Sequence, residues 1–242
     1  MLLQSHMKRL RLTFVIALGA TSLSAANSLY TTDEVVESYA AAARQQNARF
    51  RGVSMDVDIA ASLPKLHKNG RMHALKHISR LGRITYEALK FDGDNSVKRD
   101  VIARYLAAES QARATESSLA VLPANYKFKY KGLRDQGQGM VHVFEVTPRK
   151  KLVGLFKGEL WLDARSFLPV RESGRMVKSP SIFLKRVDFV QVYEIRDGLS
   201  IPVRMHTTVD TRLIGKAELT VDFRNVALAD EPAVPAPFAE TE

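Results

Sequence analysis

From Tyr126 to Val226, apolar and polar side chains alternate with a period of two over most of the chain. Tyr126, Phe128 and Tyr130 open the series. Met140 to Thr147 and then Phe156, Leu160 and Leu162 continue it. Three later stretches, 182–195, 199–211 and 217–226, keep their apolar residues at odd numbers. They can share a side only if the loops between them are odd in length. Arg196-Asp197-Gly198 and Leu213-Ile214-Gly215 fit as three-residue loops with glycine in the left-handed position. The pattern predicts a single antiparallel sheet with one buried face.

The preceding segment adds two helices and a hairpin. Thr31 and Glu34 fit a capping box, and Tyr30 and Val35 sit where a hydrophobic staple would. Val35, Val36, Tyr39, Ala40 and Ala43 then recur at helical spacing, which predicts an amphipathic helix over 32–48. From Val53 the period drops to two, with Val57, Ile59 and Ala61 on one face and Asp56 and Asp58 on the other. Asn69-Gly70 is a strong two-residue hairpin signal. Taken as the loop, it sets Ala61 opposite Ile78 and Ile59 opposite Arg80. Arg80 then shares the apolar face, an expensive place for an unpaired cation. After a strand from Arg83 to Phe91, Asp94, Asn95 or Ser96 can cap a second helix striped by Val97, Val101, Ile102, Tyr105 and Leu106.

A chain of 242 residues with 45% hydrophobic and 26% charged side chains is an ordinary globular composition, which excludes a disordered or multi-span membrane protein. Residues 1 to 26 read as a cleavable signal peptide: Lys8, Arg9 and Arg11, the apolar run Leu12 to Ala20, and small residues up to Ala26. The run is too short for a membrane span, and the signal is complete from Met7. The expected product is soluble and periplasmic. The chain has no cysteine, so neither a disulfide framework nor a lipid-modified N-terminal cysteine is available. Cleavage would remove three cations and no anion, taking the net charge from +10 to +7. Nucleic acid is not an expected partner of an exported protein, and weak attraction to anionic lipid surfaces is the better use of that charge. Residues 27–229 read as one domain, and the Pro- and acid-rich segment 230–242 as an extended tail.

Catalytic signals are missing. His73 and His77 lie on a strand, where spacing by four separates them too far for one metal, and His67 falls elsewhere. No nucleophile elbow or phosphate loop occurs. Trp161 faces away from Leu160 and Leu162. The reading is a non-enzyme with neither cofactor nor metal. A long one-layer sheet curls because its strands twist, and two helices cannot fill a wide trough. A lipid cavity is then expected, lined by Val57 and Ile59 from the first strand and Ile102, Tyr105 and Leu106 from the second helix. Val187, Phe189, Tyr193, Met205, Leu219, Val221 and Phe223 from the late strands complete it, with Arg80 at its wall.

Phe91-Asp92-Gly93, the segment FKGELWLD (156–163) with FLPVR (167–171), and 188–204 with its Asp197-Gly198 turn carry a likeness to known proteins. With the order signal peptide, helix, hairpin, helix and strand meander, the chain resembles, over about residues 30–226, the bacterial lipoprotein-carrier (LolA-like) family, outer-membrane lipoprotein-sorting-type proteins and the RseB-type regulators that share the half-barrel. The resemblance implies an α+β fold: a curved antiparallel sheet, an incomplete barrel of about eight to eleven strands, with two or more helices over its concave face. It also implies a monomeric carrier or chaperone for lipid or lipoprotein acyl chains. In such carriers an arginine on the second strand ties down the covering helix, a role that would fall to Arg80. The alternative is an envelope protein-interaction or stress-sensor module. It would act through an inner- or outer-membrane partner protein, with the basic back of the sheet as the docking surface.

Overall fold

A computed structural model describes residues 30–114, 119–179, 184–212 and 215–228, without the side chains of 111–114. The expected signal peptide, the segment 230–242, and Leu213 and Ile214 of the expected loop lie outside these residues. Helix α1 (Thr32–Arg49) begins at the capping box: the Glu34 amide donates to Thr31 Oγ1 (3.3 Å) and the Thr31 amide to Glu34 Oε2 (2.7 Å). The Tyr30 ring meets Phe167 edge-on, with centroids 5.5 Å apart.

Three antiparallel strands follow, β1 (Val53–Leu63), β2 (Lys68–Ile78) and β3 (Ile84–Gly93). Asp94 accepts from the Ser96 amide (2.7 Å) and starts a helical stretch: α2 (Asn95–Val97), a π-turn (Lys98–Ile102) and α3 (Ala103–Ala114). A meander completes the chain: β4 (Tyr126–Asp135), β5 (Met140–Pro148), β6 (Phe156–Asp163), β7 (Pro169–Met176), β8 (Leu184–Arg196), β9 (Leu199–Thr211) and β10 (Lys216–Leu228). All ten strands form one open antiparallel sheet in the order β3-β2-β1-β10-β9-β8-β7-β6-β5-β4.

The connection from β3 to β4 therefore joins the two edges. A flat sheet would hold those edges about 43 Å apart, at about 4.8 Å per strand. The helical stretch is thus carried across one face, and curling of the sheet shortens its path. Pairing confirms a single inner face. Phe91, Met72, Ile59, Val221, Met205, Gln191, Glu172, Leu160, Phe144 and Tyr130 lie opposite one another in turn, one per strand. The row is apolar except at β8 and β7. Asp58 and Trp161 belong to the outer face, as alternation requires.

The first hairpin differs from expectation. Pro64–Leu66 forms a 3-10 turn closed by His67 at φ 53°, and Leu63 pairs with Lys68. Asn69-Gly70 lies inside β2, opposite Ser62 and Ala61. Proline cannot donate to a ladder, so the chain turns there. Gly70 instead lets the next helix approach: a Cβ on it would stand 3.0 Å from Val97 Cγ1. The partner of Ala61 moves from Ile78 to Gly70, an even displacement, so every residue keeps its expected face. Arg80 does not stay on the strand. It is exposed in the turn closed by the Ser79 amide on Arg83 O and the Gly82 amide on Ser79 O, both 2.8 Å.

Two smaller differences concern the meander. Arg196 pairs with Leu199, so only Asp197 (φ 53°) and Gly198 (φ 69°) make that turn, a two-residue hairpin of the type that fits strand twist. A register shift between Val192 and Tyr193 supplies the odd residue that returns the odd-numbered sets to one face. β7 carries the polar run Arg171 to Arg175 and shows no alternation to announce it. Its Gly174 faces Gly158 of β6, and a Cβ on Gly158 would sit 1.9 Å from the Ser173 carbonyl oxygen. Phe156 and Phe189 pack perpendicular, 4.8 Å apart, beside this pinch. Gly158→Ala is expected to lower unfolding free energy by about 3 kcal/mol, measured by urea denaturation, whereas Gly137→Ala, where a Cβ meets nothing within 4 Å, should cost only the backbone strain of about 1 kcal/mol.

Candidate functional site

Two helical roofs cover the inner face toward its two edges. At the β3 side, Val57 and Ile59 of β1 and Leu219, Val221 and Phe223 of β10 are buried with Val97 and Ile102. Tyr105, Leu106 and Met205 pack half-buried against them. At the β4 side, Phe144, Val146, Leu160 and Leu162 are buried beneath Val35 and Tyr39 of α1. Between the clusters, Val187 pairs with Val209 and Phe189 with Thr207, all half-buried. The expected lining residues thus share one face, and Arg80 alone stands outside it.

A cation does face inward from β2, but it is Lys76. It is 4% exposed, opposite Met55. Its ammonium donates to Glu109 Oε1 of α3 and lies 5.5 Å from the Phe223 ring centroid. Tyr86 of β3 donates to the other oxygen, Glu109 Oε2. Burial by itself would raise the Glu109 carboxyl. The Lys76 charge, with hydrogen bonds from Lys76, Tyr86 and Tyr105, outweighs it and holds the group below the usual carboxylate range. Burial and the Glu109 charge push both phenols upward. One ion pair thus ties α3 to β2 and β3. The sequence carried the signal: Lys76 shares the parity of Met72, Ala74 and Ile78, and Glu109 lies one helical turn beyond Tyr105.

The other roof is fastened differently. Gln46 of α1 donates to Ser200 O (2.6 Å) and accepts from the Ser200 amide (2.7 Å), imitating a neighbouring strand. Arg49 donates to Asp197 O (3.2 Å). Under this helix Glu172 is, with Gln191, one of the two polar points of the inner row. Burial pushes its carboxyl up to about 7, against a hydrogen bond from Tyr193, and its charge raises the Tyr39 and Tyr193 phenols, which burial already pushes up. His142, 2% exposed, stacks on Phe167 and lies 3.0 Å from Tyr130 OH; burial pushes its pKa down.

Two clefts, of about 430 and 370 Å³, open on the outer face, lined by residues such as Asp58, Arg71, His73, Asp222 and Thr220. His73 lies 3.0 Å from Asp58, and His77 3.6 Å from Glu87. Among the described residues, no three His, Cys, Asp or Glu side chains gather where a metal could bind, and no helix is long and apolar enough to cross a membrane.

No protein-family model and no curated protein matches the chain. Several solved structures are similar to it at low identity. A LolA superfamily protein from Nitrosomonas europaea is 14% identical over 84% of this chain and 96% of that one, with a TM-score of 0.43. A DUF1329 family protein from Desulfovibrio piger is 13% identical over 82% and 95%, also at 0.43. An outer membrane lipoprotein-sorting protein domain from Vibrio parahaemolyticus is 12% identical over 80% and 93%, at 0.32.

Breaking the tie from one side strands a buried charge. Lys76→Met should therefore destabilise by about 3 kcal/mol, while adding Glu109→Leu should recover most of that loss, read from thermal melts of the three proteins. Because the Glu109 carboxyl titrates lower in the fold than in the open chain, its contribution is complete above its ordinary range and lost as pH falls through the folded value. Glu172 has the opposite sign. Its raised pKa costs stability progressively between its ordinary value near 4.5 and about 7. Glu172→Gln should therefore raise the melting temperature at pH 8, by the equivalent of about 2–3 kcal/mol, and leave it unchanged at pH 4.

Proposed function

We propose that this chain is an exported carrier or chaperone that holds a lipid or lipoprotein acyl chain against the inner face, between the two roofs. The observation that carries the reading is the half-buried apolar strip Val187, Phe189, Met205 and Val209, which lies between the two buried clusters. The neighbouring set Val57, Ile59, Val221 and Phe223 is already sealed beneath α2, the π-turn and α3. An acyl chain would start on the strip and reach that set by displacing the roof. Burying ten methylenes gains about 8 kcal/mol, against which stand about 3–5 kcal/mol for separating one buried ion pair and the exposure of Val97, Ile102, Tyr105 and Leu106 of the roof. Lys76, Glu109, Tyr86 and Tyr105 would then be the fastening that opens, and α1 the roof that stays. The LolA-like resemblance in the sequence agrees with this reading, and the signal peptide expected there supports a periplasmic location.

The test is to purify the protein from the cell envelope and analyse it by native mass spectrometry and lipid extraction. A fluorescent fatty acid is then titrated onto delipidated protein. Co-purified acyl species and saturable probe binding are expected, with Val187→Asp weakening the probe by about tenfold or more, since it places a charge on an apolar contact. Protein that carries no acyl species and binds no probe would overturn the reading. An empty protein that retains one stoichiometric membrane protein would favour the sensor module instead.

A further inference from the structure

The outer face is divided in charge, and its β4–β7 half has no acidic counterpart for much of its basic character. Lys127 and Lys129 of β4 alternate outward, opposite Thr147 and Glu145, and among the described residues neither ammonium lies within ion-pair distance of a carboxylate. Lys131 and Lys157 share a single carboxylate, Glu145, at 4.0 and 3.7 Å. Among the described residues, Arg134 of β4 and Arg171 of β7 form no ion pair with a carboxylate either. Both lie over Trp161 of β6, with guanidinium carbons 5.8 and 5.1 Å from the ring centroid. The indole donates to Glu159 (2.9 Å), which fixes its orientation. Toward the other edge two outer-face cations have a carboxylate each, Arg224 with Asp58 and Arg204 with Asp222, and Arg186 of β8 shares Asp188 with Arg175 of β7.

We propose that the β4–β7 outer face docks on an anionic phospholipid surface, with Trp161, Arg134 and Arg171 at the lipid headgroups and Lys127 and Lys129 beside them. The charge is spread over four strands about 4.8 Å apart. Such a spread suits a charged plane better than a single bound anion. Arginine forks suit phosphate oxygens, and an indole with one wet edge suits the headgroup layer. Contact on this side leaves the inner face unobstructed. The inference goes beyond acyl-chain binding and stands or falls without it.

Trp161 is the only tryptophan in the chain, so its emission reports on the patch. Vesicles of phosphatidylcholine alone and of phosphatidylcholine with phosphatidylglycerol are sedimented with the protein, and emission is recorded in each. Binding only to the anionic vesicles, a blue shift of the emission and release by added salt are expected. Lys127→Glu with Lys129→Glu should weaken binding by about tenfold or more. Arg71→Glu with Lys90→Glu, an equal charge change at exposed positions of the other half, should leave it within about twofold. Absence of binding, equal binding to neutral vesicles, an unmoved emission or equal loss in the two double variants would overturn the proposal. So would a shift produced by polyglutamate but not by vesicles, which would assign the patch to an acidic protein.

Discussion

One layer of ten strands has only itself and its connections with which to keep its apolar face from water. A sandwich would give each sheet the other as cover. Here cover has to come from helices, and the order of the strands dictates where they run. Because β3 and β4 are the two edges, the segment joining them is carried over the inner face, and its apolar stripe of Val97, Ile102, Tyr105 and Leu106 supplies the roof. The other roof, α1, leads straight into β1 yet packs on strands at the far side, with Val35 and Tyr39 over Phe144 and Leu160. The two roofs approach from opposite edges. What lies between them is a strip that neither buries completely.

The polar groups near this strip divide by fastening. Gln46 is neutral and bonds the backbone of Ser200 in both directions, so no proton or charge can release it. Lys76 and Glu109 hold the other roof through an ion pair that is strong only while both partners remain in place. Glu172 is a carboxyl on an apolar row, held by Tyr193 and opposed by burial. These differences give the two sides of the trough different resistance to opening, although their apolar clusters are of similar make.

Much of the plan was legible in the chain itself. The alternation after Tyr126 announced the meander, and the Thr31–Glu34 box placed the start of α1 to the residue. Parity then assigned Val57, Ile59, Met205, Val221 and Phe223 to one face. Parity also survived the error in the first hairpin, because an even slip preserves faces. The identity of the inward cation did not survive it, since that depends on where the strand ends and not on which way it points. β7 escaped notice for a related reason. Arg171 to Arg175 is polar throughout, and it becomes a strand because β6 and β8 supply ladder partners on both sides.

By itself, then, the amino-acid order determined the strand content, the helix start and the division of side chains between two faces, because these follow from periods of two and 3.6 and from local hydrogen bonds. Only the tertiary structure decided that Pro64–His67 makes the turn, that Gly70 receives Val97, and that Lys76 meets Glu109 from a helix 33 residues away. Each of those depends on contact between segments distant in the chain, and the free energy of such contact exists only once the sheet has curled and brought them together.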